Sequence, residues 1–461
     1  MGLSGGPNGA KAVFRQRFGR AFGPMDTLKE MREVSGLPRA AALAVLDGNV
    51  MMNGLPTSVD TFGGYVQVLS GQIRAAHEAA AHVVVVFDEP AAMTEAKRDE
   101  QARRDAQRKP KEVLCSDDLV AGIVDDRFTT EMLHAEGFNA KTLWGHRPAR
   151  ARFCDAVCVA LLRGFVARNA HRAGSLTFDG VDARGAERPF DEPRAAQVLS
   201  TNQEFWGPLL AREAPIGEGD LKLTDVTQRV HDAAQTPGTL VAGVVLNLVV
   251  TIDTDSFAIE LLQQGRRLRR GDGHNGGNER TIVCFKERAQ KRKGDDFEPK
   301  GHYLCCDVHV LHEELVRYFY GTLDLSREIE AQQPAALALF AAALACCGCD
   351  FVEVKGMRSD VVFDSVGTVL KTVPSAVENA KHAWSGRREL VHRLHDPIRA
   401  LAMECASRLL EVPRIKKDFV PTLRNLDDVL VRRTAWLICY WNSCEFKGSM
   451  EEFGFVRHSF G

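Results

Sequence analysis

Three continuous hydrophobic runs stand out from the otherwise mixed pattern of the chain: LAVLDGN (43–49), HVVVVFDEP (82–90) and VVLNLVVTIDTD (244–255). Each is short, rich in branched side chains and closed by acids or turn residues. A run that does not alternate is apolar toward both faces, as in a strand buried between helical layers of a parallel sheet. The segments between the runs are helical in pattern and long enough for crossovers. The expectation is an α/β fold: a central, mostly parallel sheet flanked by helices, followed by a helical C-terminal region. Ligands of such sheets bind outside the carboxyl ends of the strands, where Asp47, Asp88, Asp253 and Asp255 stand.

The remaining pattern divides the chain. Residues 92–112 are strong helix formers without an apolar stripe, which predicts an exposed helix. Residues 174–215, with their Gly, Pro and Asp, read as a loop-rich insertion, and the basic, Gly-rich stretch 266–280 as a flexible loop interrupting the sheet. From Pro334 onward the pattern is helical. Its Ala-rich run from Ala335 to Cys347 is shorter than the about 20 residues a bilayer requires and reads as a buried helix. The expected division is a core over 1–333, with insertions near 174–215 and 266–300, and a helical region over 334–461.

Composition narrows the partners. Lys and Arg number 59 against 61 for Asp and Glu, so no overall basic excess points to nucleic acid, and such a partner must be held by local clusters. The 12 cysteines are scattered and partly adjacent, unlike a disulfide scaffold, and no secretory leader precedes them. Gly6 stands where a myristoylation signal has Ser or Thr. The expectation is an intracellular protein, cytoplasmic or nuclear, neither anchored to a membrane nor spanning one. Cys346-x-x-Cys349, with Cys305, Cys306, His309 and His312, has ligand types for zinc, but its apolar setting favours plain burial.

Acids carry the chemistry. In APIGEGDLKLTD (214–225), Glu218 and Asp220 crowd around one glycine. Like charges so close are unfavourable unless a helix N-terminus or a cation offsets them. Either they open a helix, or they share a metal. Asp47, Asp88, Glu218, Asp220, Asp253, Asp255 and, in CCGCDF, Asp350 together form an oxygen-rich set at the ends of buried elements. Magnesium prefers such carboxylates, and hydrolysis of an anionic phosphodiester commonly employs two divalent ions. Downstream of Asp88, seven Lys or Arg lie between Lys97 and Lys111 against three acids. Lys97, Gln101 and Arg104 fall at i, i+4 and i+7 on one helical face, with Arg103 beside them, a donor set suited to a phosphate.

The order Asp, Asp, Gly-Glu-Gly-acid, Asp-x-Asp, Gly-x-Asp resembles the 5′ nuclease superfamily of flap endonucleases, XPG-like nucleases and Xrn-type 5′→3′ exoribonucleases. Within it, IGEGDLKL is similar to the Gly-Glu-Gly-Glu element of the Xrn N-terminal domain. FCDAVCVALLRGFV (153–166) and HYLCCDVHVLHEELVRYF (302–319) resemble segments flanking that family's motifs. The likeness spans roughly residues 1–370.

It implies a PIN-like fold, two Mg2+ ions (Mn2+ as a substitute) held by the seven acids, and Lys97, Gln101 and Arg104 gripping a 5′-phosphate. The implied activity is 5′→3′ hydrolysis of single-stranded 5′-monophosphate RNA. A structure-specific nuclease acting on 5′-flap DNA, or a catalytically weak nucleic-acid-binding protein on a nuclease fold, are the alternatives. Departures from the family are Asp220 for its Glu, Asn53 for a stacking His, Asp105 for a second Arg, and Gly356 alone where flap endonucleases have a two-glycine hairpin.

Overall fold

The computed structural model describes residues 10–53, 62–94, 97–98, 101–102, 147–169, 174–188, 192–270, 279–286, 303–321, 327–346, 359–380, 388–411 and 428–442. Among them, β1 (Phe22–Met25), β2 (Ala42–Asp47), β3 (His82–Val86), β4 (Ser175–Val181), β5 (Gln197–Ser200), β6 (Leu246–Thr251), β7 (Arg280–Lys286) and β8 (Tyr303–Asp307) form one sheet. Their order is β1-β8-β7-β6-β2-β3-β4-β5. From β7 to β4 the central neighbours pair in parallel. The edges are antiparallel: β5 against β4, β8 against β7, and β1 against β8. The α/β expectation of a mostly parallel sheet with flanking helices therefore holds.

The unbroken hydrophobic runs have a direct cause. Successive strand residues point to opposite faces, and both faces here are covered. Ala42, Ala44 and Leu46 of β2 join Val83, Val85, Leu246 and Leu248 under helices Leu28–Val34, Phe62–Ala79 and Arg147–Asn169. Leu43, Val45, Val84, Val86 and Val249 point the other way, onto Trp206 and Leu210 of helix Gln203–Leu210 and onto Leu223, Val226 and Val230 of helix Gly219–Ala234. At the β7–β8 side, Val283, Phe285, Leu304 and Cys306 pack with Phe14 and Phe18 and with helices Asp255–Arg270 and Val308–Tyr320. The same core continues into the helical C-terminal region. There the Ala-rich part of helix Arg327–Cys346 is buried among helices Ser359–Thr372, His395–Glu411 and Asp428–Asn442. Small side chains let these helices approach closely. No described helix is long and apolar enough to cross a membrane.

Two expectations need correction. The stretch 174–215 is not a loop insertion into the sheet but part of it. It supplies β4, β5 and helix Gln203–Leu210, and β4 is buried throughout and paired in parallel with β3. Its Asp and Gly disguised it: Asp179 sits in the strand because Arg212 reaches it at 2.8 Å and Lys222 at 3.6 Å, which compensates the charge of a carboxylate that would otherwise exclude the segment from a core. In the stretch 266–280, residues 266–270 complete helix Asp255–Arg270 and Arg280 opens β7, while 271–278 lie outside the described residues.

Candidate metal centre

The parallel strand order decides where the acids meet. β6, β2 and β3 are adjacent, and Asp253, Asp47 and Asp88 follow or close their carboxyl ends. Helix Gly219–Ala234 packs across this face with its N-terminus at the same edge, carrying Glu218 and Asp220. Asp255 opens the helix that follows β6 and is buried.

Four of the aspartates are oriented through one oxygen. Asp47 Oδ1 accepts from the backbone N–H of Asn49 at 2.8 Å and of Val50 at 3.2 Å, capping the short helix Gly48–Asn53. Asp88 Oδ1 accepts from Gly219 N–H at 2.8 Å, the first donor of helix Gly219–Ala234, whose positive end thereby faces the acids. Asp253 Oδ1 accepts from Asp255 N–H at 3.2 Å, and Asp220 Oδ1 from the Ser256 hydroxyl at 3.2 Å. Such partners fix carboxylate orientation without occupying the whole group, as outer-shell groups do around metal ligands.

The helix-opening explanation for Glu218 and Asp220 is thus half right. Glu218 is the N-cap residue and Asp220 lies in the first turn, yet the Glu218 side chain makes no capping bond. It turns instead to Lys97, whose Nζ lies 3.3 Å from Oε2. The glycines on either side serve proximity. A Cβ on Gly217 would lie 2.4 Å from Met93 backbone atoms, and one on Gly219 would lie 3.1 Å from Asp88 Oδ1. Glu89 N–H donates to the Gly217 carbonyl at 2.8 Å, which ties the element to the end of β3.

The electrostatics report mutual proximity. Burial raises the Asp47 carboxyl from the usual 3.8 to about 7, helped by the charges of Asp88 and Asp253 and opposed by the two backbone donors. Asp220 is raised well above the carboxylate range by burial, then by Asp253 and Asp47, with Lys97 opposing and Asp255 adding. Asp47, Asp88, Asp220, Asp253, Asp255 and Lys97 are therefore one interacting group, with Glu218 attached through Lys97. Among the described residues, no three carboxylate, imidazole or thiolate side chains already close a cage around a single point. The donor chemistry, carboxylate oxygens only, fits magnesium or manganese rather than a soft metal.

Of the expected phosphate-binding residues, Lys97 and Gln101 are helical, and Gln101 Nε2 contacts Met93 Sδ at 3.0 Å. Arg103, Arg104 and the last acid, Asp350, lie outside the described residues. Among the described residues the zinc ligand types do not converge: Cys305 and Cys306 point into different cores, His309 pairs with Glu313 on the surface, and His312 is buried. Cys346 ends helix Arg327–Cys346, and its motif partner Cys349 lies outside the described residues.

Sequence reasoning passed over Lys222. Its ammonium is fully buried beside the site, 3.3 Å from Glu89 and 3.6 Å from Asp179. A lysine set between two leucines in the first turns of an amphipathic helix was the available signal. The far end of the same helix is also tied down: His231 pairs with Glu279, which accepts from Asn247 Nδ2 at 2.9 Å at the start of β6. No protein-family model and no curated protein matches the chain.

Proposed function

We propose that this chain is a magnesium-dependent 5′ nuclease on a PIN-like fold, and that it degrades single-stranded 5′-monophosphate RNA in the 5′→3′ direction as Xrn-type enzymes do. The observation that carries the reading is the group of five aspartates at the carboxyl edge of three adjacent parallel strands, each oriented by a hydrogen bond or placed at a helix start, with two of them raised by burial and mutual charge. A group built only to stabilise the fold would pair these acids with bases. Here Lys97 is the one cation in the described electrostatic contacts of Asp47 and Asp220.

Asp47, Asp88, Glu218, Asp220, Asp253 and Asp255 would hold two Mg2+ ions, or Mn2+ in their place, together with Asp350. Bound there, the ions supply a lowered pKa for water and charge neutralisation at the scissile phosphate. The chain's own residues do the rest. Lys97 stands beside Glu218 with a point charge for the phosphate; Gln101, Arg103 and Arg104 complete the donor set on the motif's spacing in sequence. The backbone N–H of Gly219 and the dipole of its helix hold Asp88 in place as charge accumulates at the site.

The test uses magnesium and three end-labelled substrates: 5′-monophosphate RNA, 5′-hydroxyl RNA and 5′-flap DNA. The expected result is preferential loss of the monophosphate RNA from its 5′ end, abolished by Asp253→Asn. Flap cleavage would assign the chain to the structure-specific DNA branch. Cleavage that survives Asp253→Asn, or no cleavage of any substrate, would refute the nuclease reading.

A further inference from the structure

Helix Asp428–Asn442, the last among the described residues, reaches the carboxylate group. Its Tyr440 hydroxyl donates to Glu218 Oε1 at 3.4 Å, across 222 residues of sequence. Both side chains are buried. One turn back on the same helix face, Trp436 lies flat on the Tyr440 ring, with centroids 4.8 Å apart and planes within 15°. The stack leaves the phenol little freedom. Glu218 is consequently gripped from two directions: Lys97 holds Oε2 at 3.3 Å and Tyr440 holds Oε1. These contacts matter because the N-cap position that Glu218 occupies gives its side chain no capping bond of its own.

We propose that Tyr440 is a positioning residue for Glu218, so that helix Asp428–Asn442 forms one wall of the metal centre. The inference rests on the nuclease reading of Glu218 given above. Lys97 and Tyr440 have different tasks at the two oxygens. The lysine is a charge that substrate phosphate competes for, whereas the phenol is a neutral donor that stays in place when the carboxylate takes up a cation. Orienting partners of this kind set metal affinity about ten- to a hundredfold.

The experiment titrates Mn2+ alone into the full chain by calorimetry, for the wild type, Tyr440→Phe, Glu218→Gln and the double variant, with RNA hydrolysis measured in parallel. Phenylalanine keeps the ring on Trp436 and removes one oxygen. Tyr440→Phe should weaken Mn2+ binding about tenfold. It should lower kcat with KM for RNA unchanged, and have little further effect once Glu218 is Gln. The double-variant comparison separates a specific coupling from a general loss of stability, which would add to both backgrounds alike. If Glu218→Gln weakens Mn2+ binding while Tyr440→Phe leaves it within twofold, or if the two effects simply add, the positioning role is overturned and the nuclease reading stands. If Glu218→Gln leaves Mn2+ binding unchanged, the metal assignment beneath the inference fails as well.

Discussion

Replacing Asp47 by Asn should stabilise the metal-free chain, although it destroys a residue assigned to the metal centre. The carboxyl is raised from 3.8 to about 7 by burial and by Asp88 and Asp253. A shift of that size corresponds to about 4 kcal/mol of preference for the protonated form, at roughly 1.4 kcal/mol per unit. The sign follows from proton binding. Between pH 4 and 7 the native carboxyl retains a proton that the unfolded one has released, so stability falls as pH rises through this window and levels off above it. Asparagine is neutral throughout and caps a helix as well as Asp does, so the bonds to Asn49 and Val50 survive. In EDTA the variant and the wild type should match near pH 4. The gap should open through pH 7 and reach roughly 2–4 kcal/mol at pH 8, about 2–4 °C in Tm for a chain of this length. Added Mg2+ should close most of the gap, because an ion in hundredfold excess over its Kd adds about 2.7 kcal/mol to the wild type alone. The assay is urea denaturation and thermal unfolding from pH 4 to 8, with and without magnesium. An Asn variant that is less stable than the wild type at pH 8 in EDTA would refute the electrostatic argument, as would a gap that ignores pH.

Two further outcomes follow from the surroundings of the site. Lys222→Met removes the buried cation between Glu89 and Asp179 and leaves those acids undercompensated; urea midpoints should report a loss of about 3–5 kcal/mol. Gly219→Ala puts a Cβ 3.1 Å from Asp88 Oδ1, which must shift by a few tenths of an ångström. Turnover should fall about ten- to a hundredfold while the circular dichroism spectrum stays unchanged, since small displacements of a reacting group cost rate more than stability.

The strands that were legible in sequence are those buried on both faces by side chains alone: β2, β3 and β6 are continuous hydrophobic runs because nothing else covers their faces. β4 escaped because its burial depends on Arg212 and Lys222, which join Asp179 only after folding. The short edge strands β1 and β5 carry too few residues for a pattern, and β1 contains a proline. Acids at strand ends were legible for the same reason as the strands. Their partners were not: Ser256 meets Asp220 across 36 residues and Tyr440 meets Glu218 across 222, distances over which no periodicity speaks. The glycines of the Gly-Glu-Gly element were visible as letters, but their purpose, close approach to Met93 and Asp88, required the third dimension.

Helix Gly219–Ala234 is fastened at both ends, to Asp88 by Gly219 and to Glu279 by His231. That makes it a gauge of fixed length laid across the sheet. One residue inserted between the two fastenings would turn everything beyond it by about 100° and push it along by about 1.5 Å, so acid and imidazole could not both reach their stations. Length variation in the descendants of this chain should therefore collect in the connections, and hardly ever between residues 219 and 231. An alignment of relatives should show that interval free of gaps even where its letters have changed.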